Sequence, residues 1–307
     1  MKFQALYFTA VFFVLAALGP RQAYAMGLGP GLFKIQNVPP GQSVDVRKLS
    51  GVVFTVTNSS DKEESFSLLC KKPSQGGLVD WEAGYEEIAD AAWCKLEKEE
   101  FAVAAKSKAE IGLIIEVPDK PEYYNCKWML AVVLTSGGNK GIGVGLAVAA
   151  RVQIETLPGV KEDTVSAMPL GIVPSALDIS VKPGEAFKRS VLLRNNTSKK
   201  VMCITERLVD IYTDPRKHDR YTSGGFKPLI ATTWLTEKFE TFSLKSGKKE
   251  KLKLVGRAPE TAKPGEKWEE LVFVCGKPDE KMNEGEKNER NTNIKTFFRV
   301  RYTVVAP

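Results

Sequence analysis

The two halves of this chain repeat one spacing of aromatic and proline residues. In each half a tryptophan is followed by a phenylalanine after eight residues and by a proline after 25 residues. The residues are Trp93, Phe101 and Pro118 in the first half, and Trp234, Phe242 and Pro259 in the second. A further tryptophan, Trp128 or Trp268, follows 35 or 34 residues after the first one. Three matching intervals indicate a tandem duplication, so we expect two copies of one folding unit.

Each copy begins with the turn chemistry of a β protein. A Pro-Gly turn, at Pro40-Gly41 and again at Pro183-Gly184, precedes a run of β-forming residues. Both runs end in an Asn/Ser/Thr turn, at 58–60 and at 195–198, where these side chains can bond to their own backbone. The turns also match the N-glycosylation pattern. Turn formation alone accounts for these residues, so the pattern does not require that the asparagines carry sugar.

Strand periodicity supports this interpretation. Charged and apolar residues alternate from Lys249 to Leu254 and from Phe298 to Tyr302, as in half-buried strands. Helical periodicity is not sustained, and we expect at most one or two helical turns between Tyr85 and Trp93. Short strands separated by regular turns are typical of sandwiches. We therefore predict an all-β fold with two tandem immunoglobulin-like β-sandwich domains.

The N-terminus has the parts of a secretory signal peptide. Lys2 supplies a basic start, residues 3–18 are apolar and uncharged, and Ala23-Tyr24-Ala25 forms a small-x-small cleavage site. An uncleaved N-terminal anchor is the alternative. No later stretch has the ~20 apolar residues of a membrane span, so we expect a mature chain in a periplasm or equivalent extracytoplasmic compartment. The predicted organisation is a signal peptide (1–25), domain 1 (26–157), a Pro/Gly-rich linker (158–174) and domain 2 (175–307).

Charge is distributed unevenly between the halves. Residues 26–158 hold 14 Lys/Arg and 17 Asp/Glu, whereas residues 159–307 hold 28 and 20. The candidate basic patch comprises Lys249, Lys251, Lys253, Arg299 and Arg301. Such a patch could attract an acidic exported protein or let copies of the chain associate, and a solvated strand face is the alternative. Nucleic acid is an unfavoured partner for an exported chain without interleaved exposed aromatics.

The five cysteines do not form a metal-binding or haem-attachment motif. Cys70, Cys94, Cys126, Cys203 and Cys275 are widely spaced, and their odd number leaves one without a partner. If a disulfide forms in an oxidising compartment, we expect it among the three in the first half. Burial as free thiols is the alternative.

Residues suited to catalysis are scarce. The single histidine, His218, lies in a polar segment (214–220) that is predicted to be an exposed loop. Carboxylate pairs such as Glu86-Glu87 are adjacent, and neighbours in an extended chain point to opposite faces. We therefore expect a non-enzymatic protein without a metal site or cofactor.

A glycine-rich stretch supplies the candidate interface. Gly137 to Gly145 lacks the context of a nucleotide-binding loop and is better explained as a hairpin turn that leads into a strand. One face of that strand carries glycine and alanine, which would let another backbone approach closely. The candidate interface residues are Ile142, Gly143, Val144, Gly145 and Leu146. Packing within the sandwich is the alternative.

A family resemblance rests on motifs in the second half. Residues 177–184 (Leu-Asp-Ile-Ser-Val-Lys-Pro-Gly) lead to a strand that ends at Asn195, and 242–247 is followed by Arg257-Ala258-Pro259. This pattern resembles domains of the immunoglobulin-like periplasmic pilus-chaperone superfamily and of related bacterial surface and wall-associated proteins. The resemblance covers nearly the whole mature chain, once per domain, and implies the fold. The cleft arginine and lysine of classical pilus chaperones are not matched to residues here.

Two functions are compatible with these observations. The first is a structural or adaptor protein of an extracytoplasmic assembly, which binds other exported proteins through sheet edges and loops. The alternative is a periplasmic assembly chaperone, which uses the same contacts transiently. An enzyme with a carboxylate-only site is the third and least favoured hypothesis.

Overall fold

The computed structural model describes residues 26–78, 82–136, 147–230, 232–236, 241–278 and 294–307. The strands of the first sandwich are β1 (Met26–Gly29), β2 (Leu32–Val38), β3 (Ser43–Asp45), β4 (Phe54–Asn58), β5 (Glu64–Lys71), β6 (Glu86–Glu87), β7 (Cys94–Leu96), β8 (Glu100–Val103), β9 (Lys108–Ile111), β10 (Leu113–Glu116), β11 (Lys127–Ser136) and β12 (Ala147–Thr156).

The strands of the second sandwich are β13 (Leu170–Val173), β14 (Ala176–Val181), β15 (Ala186–Asn195), β16 (Val201–Arg207), β17 (Lys227–Pro228), β18 (Phe242–Leu244), β19 (Lys249–Arg257), β20 (Lys267–Pro278) and β21 (Ile294–Val304). Short helices are α1 (Val46–Ser50), α2 (Leu208–Ile211) and α3 (Pro215–Tyr221), with 3₁₀ turns at Ala91–Trp93, Pro121–Tyr123 and Glu162–Thr164.

The two sandwiches have the same topology. The larger sheet runs β2-β12-β11-β5-β8 in the first and β14-β21-β20-β16-β18 in the second, with β6 and β17 added beside β11 and β20. The facing layer is β13-β15-β19 in the second sandwich and is divided into β1-β4-β9 and β3-β10-β7 in the first. The predicted pair of immunoglobulin-like sandwiches is confirmed.

Strand register confirms that the repeat was aligned correctly. Cys94, which follows Trp93, pairs with Ile115, and Leu235, which follows Trp234, forms a bridge to Gly256. Each partner lies three residues before the matched proline, Pro118 or Pro259. The further tryptophans also match, since Trp128 and Trp268 lie opposite the first residues of β6 and β17.

The Asn/Ser/Thr turns are buried in the same way in both copies. Asn58 donates from Nδ2 to the carbonyls of Lys62 and Val103. Asn195 donates to the equivalent carbonyls of Lys199 and Leu244. These asparagines are 2% and 0% exposed, so in the folded chain their amides hold the turn and are not available to carry sugar.

This shared turn gives a matched test of the duplication. We expect Asn58→Ala and Asn195→Ala each to lower the free energy of unfolding by roughly 2 kcal/mol, because each leaves buried carbonyls without a donor. Urea denaturation of the two variants measures the loss, and Ser59→Ala, at an exposed neighbouring position, is the control. Losses that differ widely between the two asparagines would contradict their structural equivalence.

In the described part of the chain, three apolar clusters hold the fold together. Each sandwich encloses its own core between its sheets. The third cluster lies between the sandwiches and combines residues from both. They are Tyr85 and Met129 from the first, and Leu208, Tyr221, Leu271, Phe273 and Phe297 from the second. The two units therefore share a buried contact.

The predicted connection between the sandwiches is more ordered than a linker. Residues 158–174 include the 3₁₀ turn Glu162–Thr164 and β13, and β13 pairs with β15 of the second sandwich. The segment from Tyr85 to Trp93 forms β6 and one 3₁₀ turn. The predicted signal peptide (1–25) lies outside the described residues. In the part of the chain that is described, no helix is long and apolar enough to cross a membrane.

The cysteines follow the free-thiol alternative, and the prediction for His218 is wrong. Cys70, Cys94 and Cys126 are free thiols, and burial raises the pKa of Cys126 to about 12. His218 is only 3% exposed and lies in α3, with Nε2 2.7 Å from the carbonyl oxygen of Tyr212. The helix starts there because Asp214 caps the backbone N–H of Arg216 and Pro215 occupies the first turn.

Candidate binding site: the domain interface and the free edge of β12

Strand β12 contributes to both parts of the candidate site, which are the interface between the two sandwiches and an open sheet edge. Its residues alternate between the two faces of the sheet, as in any extended strand. Val152 and Ile154 point into the core of the first sandwich, whereas Gln153 and Glu155 are on the other face. That outer face is turned towards the second sandwich, so one strand supplies the core, the domain interface and a sheet edge.

Arg299 occupies the centre of the interface. It comes from β21 and is only 1% exposed, and its Nε and Nη2 donate to the carboxylate of Glu155 at 3.0 and 2.5 Å. Its Nη1 donates to Glu269 at 2.7 Å and to the carbonyl oxygen of Tyr221 at 2.5 Å. One guanidinium thus joins a carboxylate from each sandwich, in the bidentate geometry that favours arginine over lysine.

The electrostatics of this cluster follow from its burial. Burial alone raises the pKa of a carboxyl, but the neighbouring cations and hydrogen-bond donors, of which the Arg299 guanidinium has the largest effect, together lower the pKa of both Glu155 and Glu269. Burial alone would lower the pKa of Arg299. The carboxylates of Glu155 and Glu269 favour its charged form more strongly, so the pKa of Arg299 is raised. All three groups therefore remain charged at neutral pH.

Further hydrogen bonds extend the cluster across the interface. Lys34 on β2 donates to the carbonyls of Tyr221 and Thr222 at 2.8 and 2.7 Å. Arg301 on β21 donates to Glu269 at 3.0 Å and to Ser223 at 2.9 Å. The segment that follows α3 is therefore fixed from both sandwiches.

A second group of contacts fixes α3 itself. The side chain of Glu82 in the first sandwich is 3% exposed, and its carboxylate accepts from Lys217 and Arg220, each at 3.0 Å. The hydroxyl of Tyr221 donates to the carbonyl of Ala83 at 2.7 Å. These contacts lie beside the apolar cluster between the sandwiches, so polar and apolar interactions orient the two units together.

Two buried donors at this interface have no acceptor among the described residues. They are Nζ of Lys127 and Nε2 of Gln153. Lys127 is 2% exposed, and its Nζ lies 4.6 Å from the ring centre of Phe297. Burial lowers the pKa of Lys127 to about 8, although nearby Glu155 partly opposes this shift.

This buried lysine predicts a pH-dependent stability. Lys127→Met should raise the free energy of unfolding at pH 7, because it removes a buried ammonium that has no acceptor. Below pH 8 the lysine is charged in both states, and the folded chain bears the whole penalty. Between pH 8 and about 10.4 the folded chain has lost this proton while the unfolded chain still carries it. The stability of the wild type therefore rises with pH in this range. The advantage of the methionine should therefore shrink by roughly 2–3 kcal/mol.

Denaturation of both proteins at pH 7 and pH 10.5 measures this difference. Lys108→Met, at an exposed position on β9, is the matched control and should change stability little at either pH. A gain for Lys127→Met that is the same at both pH values would contradict the assigned cause.

The first residues of β12 leave one sheet edge open. β12 pairs with β11 from Ala147 to Glu155, but with β2 only from Arg151 onward. The N–H of Arg151 donates to Gly31 at 2.9 Å, on the β2 side. Backbone groups alternate in direction along a strand, so Ala149 also directs its N–H and C=O to that side. No described strand pairs with them there.

The predicted interface residues immediately precede this edge. Ile142, Gly143, Val144, Gly145 and Leu146 lie outside the described residues. The alternation predicted for the strand continues into the part that is described. Ala147 and Ala149 are on the outer face, and Val148 is on the core side with Ala150.

The predicted basic patch is not one surface. Lys249, Lys251 and Lys253 are exposed on β19, in the three-stranded sheet. Arg299 and Arg301 are on β21 of the opposite sheet, and Arg299 is buried against two carboxylates. The correction has a simple cause: the alternation in β21 was interpreted as a solvated face, but the second face of that strand is covered by the first sandwich.

Sequence reasoning also missed the acidic partners of this arginine. Glu155 follows the apolar residues of β12, and Glu269 follows Trp268 in β20. A usable signal was a carboxylate beside large apolar residues within a strand of each half, Glu155 after Ile154 and Glu269 after Trp268. That signal indicates a buried polar face but does not say which charges meet.

Comparison with known proteins gives only distant structural similarity, at TM-scores near 0.3. No family model matches the chain, and no curated protein matches it. A protein of unknown function from Porphyromonas gingivalis W83 has 10% identity and a TM-score of 0.32, covering 91% of this chain and 99% of that chain. The class 5 fimbriae chaperone CfaA has 11% identity and a TM-score of 0.31, covering 89% and 99%.

The E. coli chaperone DraB has 8% identity and a TM-score of 0.30, covering 89% of this chain and 97% of that chain. These structures include pilus chaperones, the class of protein that the sequence motifs resemble. At this level of similarity no partner or activity follows from the comparison.

Proposed function

We propose that the protein is a non-enzymatic assembly chaperone of an extracytoplasmic compartment, which holds an extended segment of another exported protein along the free edge of β12. The observation that carries this proposal is that, among the described residues, Ala147 to Ala150 pair with β11 on one side and with no strand on the other. Open edges accept an additional strand through backbone hydrogen bonds, whatever the side chains of the partner.

The domain interface is a second, independent observation in favour of the proposal. Arg299, Glu155 and the contacts of α3 hold the two sandwiches in one orientation. A preformed binding surface loses less conformational entropy when a partner binds, so a rigid body favours capture of an extended segment. A permanent adaptor could use the same edge, and the two functions differ in the lifetime of the complex.

A proline at the open edge tests the binding mode. Ala149→Pro should remove the free N–H and place a ring at the edge, while the ladder between β12 and β11 stays intact because that N–H points away from β11. We expect at least tenfold less partner captured by crosslinking in intact cells of the native source. Ala149→Ser, which retains the N–H, is the matched control and should capture as much as wild type.

Pulse-chase labelling separates the two functions. A chaperone should release its partner as assembly proceeds, whereas an adaptor should keep it. If Ala149→Pro folds normally and captures the same partners in the same amounts, the edge is not the binding site and the proposal is wrong.

A further inference from the structure

One face of the second sandwich carries a dense group of cations. The second sandwich contacts the first through its larger sheet, which contains β20 and β21. The layer β13-β15-β19 is on the other side of its core, so the outer face of this layer is turned away from the first sandwich. On β15 and β19 the outward residues alternate with core residues such as Val191 and Leu254. Six of the outward residues are exposed cations, which we call the basic face: Lys188, Arg194, Lys249, Lys251, Lys253 and Arg257.

Strand register brings like charges of the basic face together. Arg194 lies directly opposite Lys249, and Lys251 and Lys253 follow on the same strand. Facing residues of antiparallel strands have their Cβ atoms ~4.5–5.5 Å apart, and like charges at this distance repel each other. In the described part of the chain, one carboxylate lies within 4.0 Å of these cations, that of Glu162, 2.9 Å from Lys249 and 75% exposed. The repulsion is therefore largely uncompensated within the molecule.

The first sandwich does not carry this charge at the corresponding positions. The interval of 141 residues from Trp93 to Trp234 relates the two strands. The corresponding residues are Lys108, Glu110, Gly112 and Glu116 in the first copy, and Lys249, Lys251, Lys253 and Arg257 in the second. Register agrees, because Thr57 and Arg194 each precede the asparagine of the shared turn and each face the matched lysine. One copy folds without these cations, so the fold itself does not require them.

The shape and composition of the basic face indicate what kind of partner it fits. Lys249 and Arg257 are eight residues apart on one strand, which places them roughly 27 Å from each other. The other outward residues on the two strands include Ser190, Leu192 and Val255, which are half-buried and not aromatic. Protein partners usually bind around a buried aromatic or apolar centre, and this face does not offer one. Lysines predominate, and their hydrated ammonium groups suit a diffuse anionic layer better than bidentate recognition of a single group.

We propose that the basic face docks the protein on a membrane surface that carries anionic lipid headgroups. A planar anionic layer can approach all the cations of the face at once, whereas a short acidic segment covers only part of a strand roughly 27 Å long. Each cation near such a surface adds to the attraction, which extends over about one Debye length, ~8 Å in physiological salt. The headgroups thus supply the negative charge that the molecule does not place on this face. The proposal does not depend on the β12 edge or on the proposed function.

Co-sedimentation of the mature full chain with lipid vesicles tests this proposal. Vesicles made of equal parts phosphatidylcholine and phosphatidylglycerol should bind the wild type, and vesicles of phosphatidylcholine alone should not. Binding should weaken as sodium chloride is added, because salt screens exposed charges. The double variant Lys251→Glu/Arg257→Glu introduces the residues of the first copy and should weaken binding by roughly thirtyfold or more.

The matched control reverses two exposed cations of the first sandwich instead. Lys98→Glu/Lys108→Glu changes the net charge by the same amount and should weaken binding by no more than about threefold. Lys251→Gln/Lys253→Gln adds no carboxylate, so it covers the case in which the charge-reversed variant does not fold. It should weaken binding by roughly tenfold or more. Ala149→Pro should bind the vesicles as wild type does, so a failed β12 edge and a failed basic face give different results.

Three outcomes would overturn the proposal. The first is equal binding of the anionic vesicles by wild type and folded Lys251→Glu/Arg257→Glu. The second is an equally large loss in Lys98→Glu/Lys108→Glu, which would show that net charge alone attracts the protein. The third is binding of fluorescein-labelled polyglutamate, measured by anisotropy, without binding of the vesicles, which would identify the basic face as a site for an acidic protein segment.

Discussion

A guanidinium that is 1% exposed needs acceptors close by, and Arg299 finds them in both sandwiches. Glu155 comes from the first unit and Glu269 from the second, so the cluster is complete only in one relative orientation. Buried ion pairs of this kind add little net stability, but removing one partner costs about 3–5 kcal/mol because the other charge stays buried. We infer that the cluster mainly specifies how the sandwiches are placed, while the apolar contacts around Tyr221 and Phe297 supply the attraction.

Duplication explains why this interface could form. The segment after β5 and its counterpart after β16 face each other, which brings Glu82 to Lys217 and places the rings of Tyr85 and Tyr221 6.1 Å apart. The last strands of the two copies, β12 and β21, also meet through Glu155 and Arg299. Equivalent elements of one ancestral unit thus contact each other.

The sequence was sufficient for the fold and insufficient for the site. Spacings around Trp93 and Trp234 defined the repeat, because turn residues and aromatic core positions act locally and recur in each copy. The pairing of Arg299 with Glu155 could not be predicted, since the two residues are 144 positions apart and meet only through domain packing. His218 was placed in a loop because the helix that buries it has seven residues, too few to show periodicity.

The central claim is that the two sandwiches form one body through the Arg299 cluster. Differential scanning calorimetry of the mature chain and of Glu155→Gln tests it most directly. We expect the wild type to unfold in a single transition whose calorimetric and van't Hoff enthalpies agree, and Glu155→Gln to separate it into two. Two well-separated transitions in the wild type would show that the sandwiches unfold independently and would contradict the account.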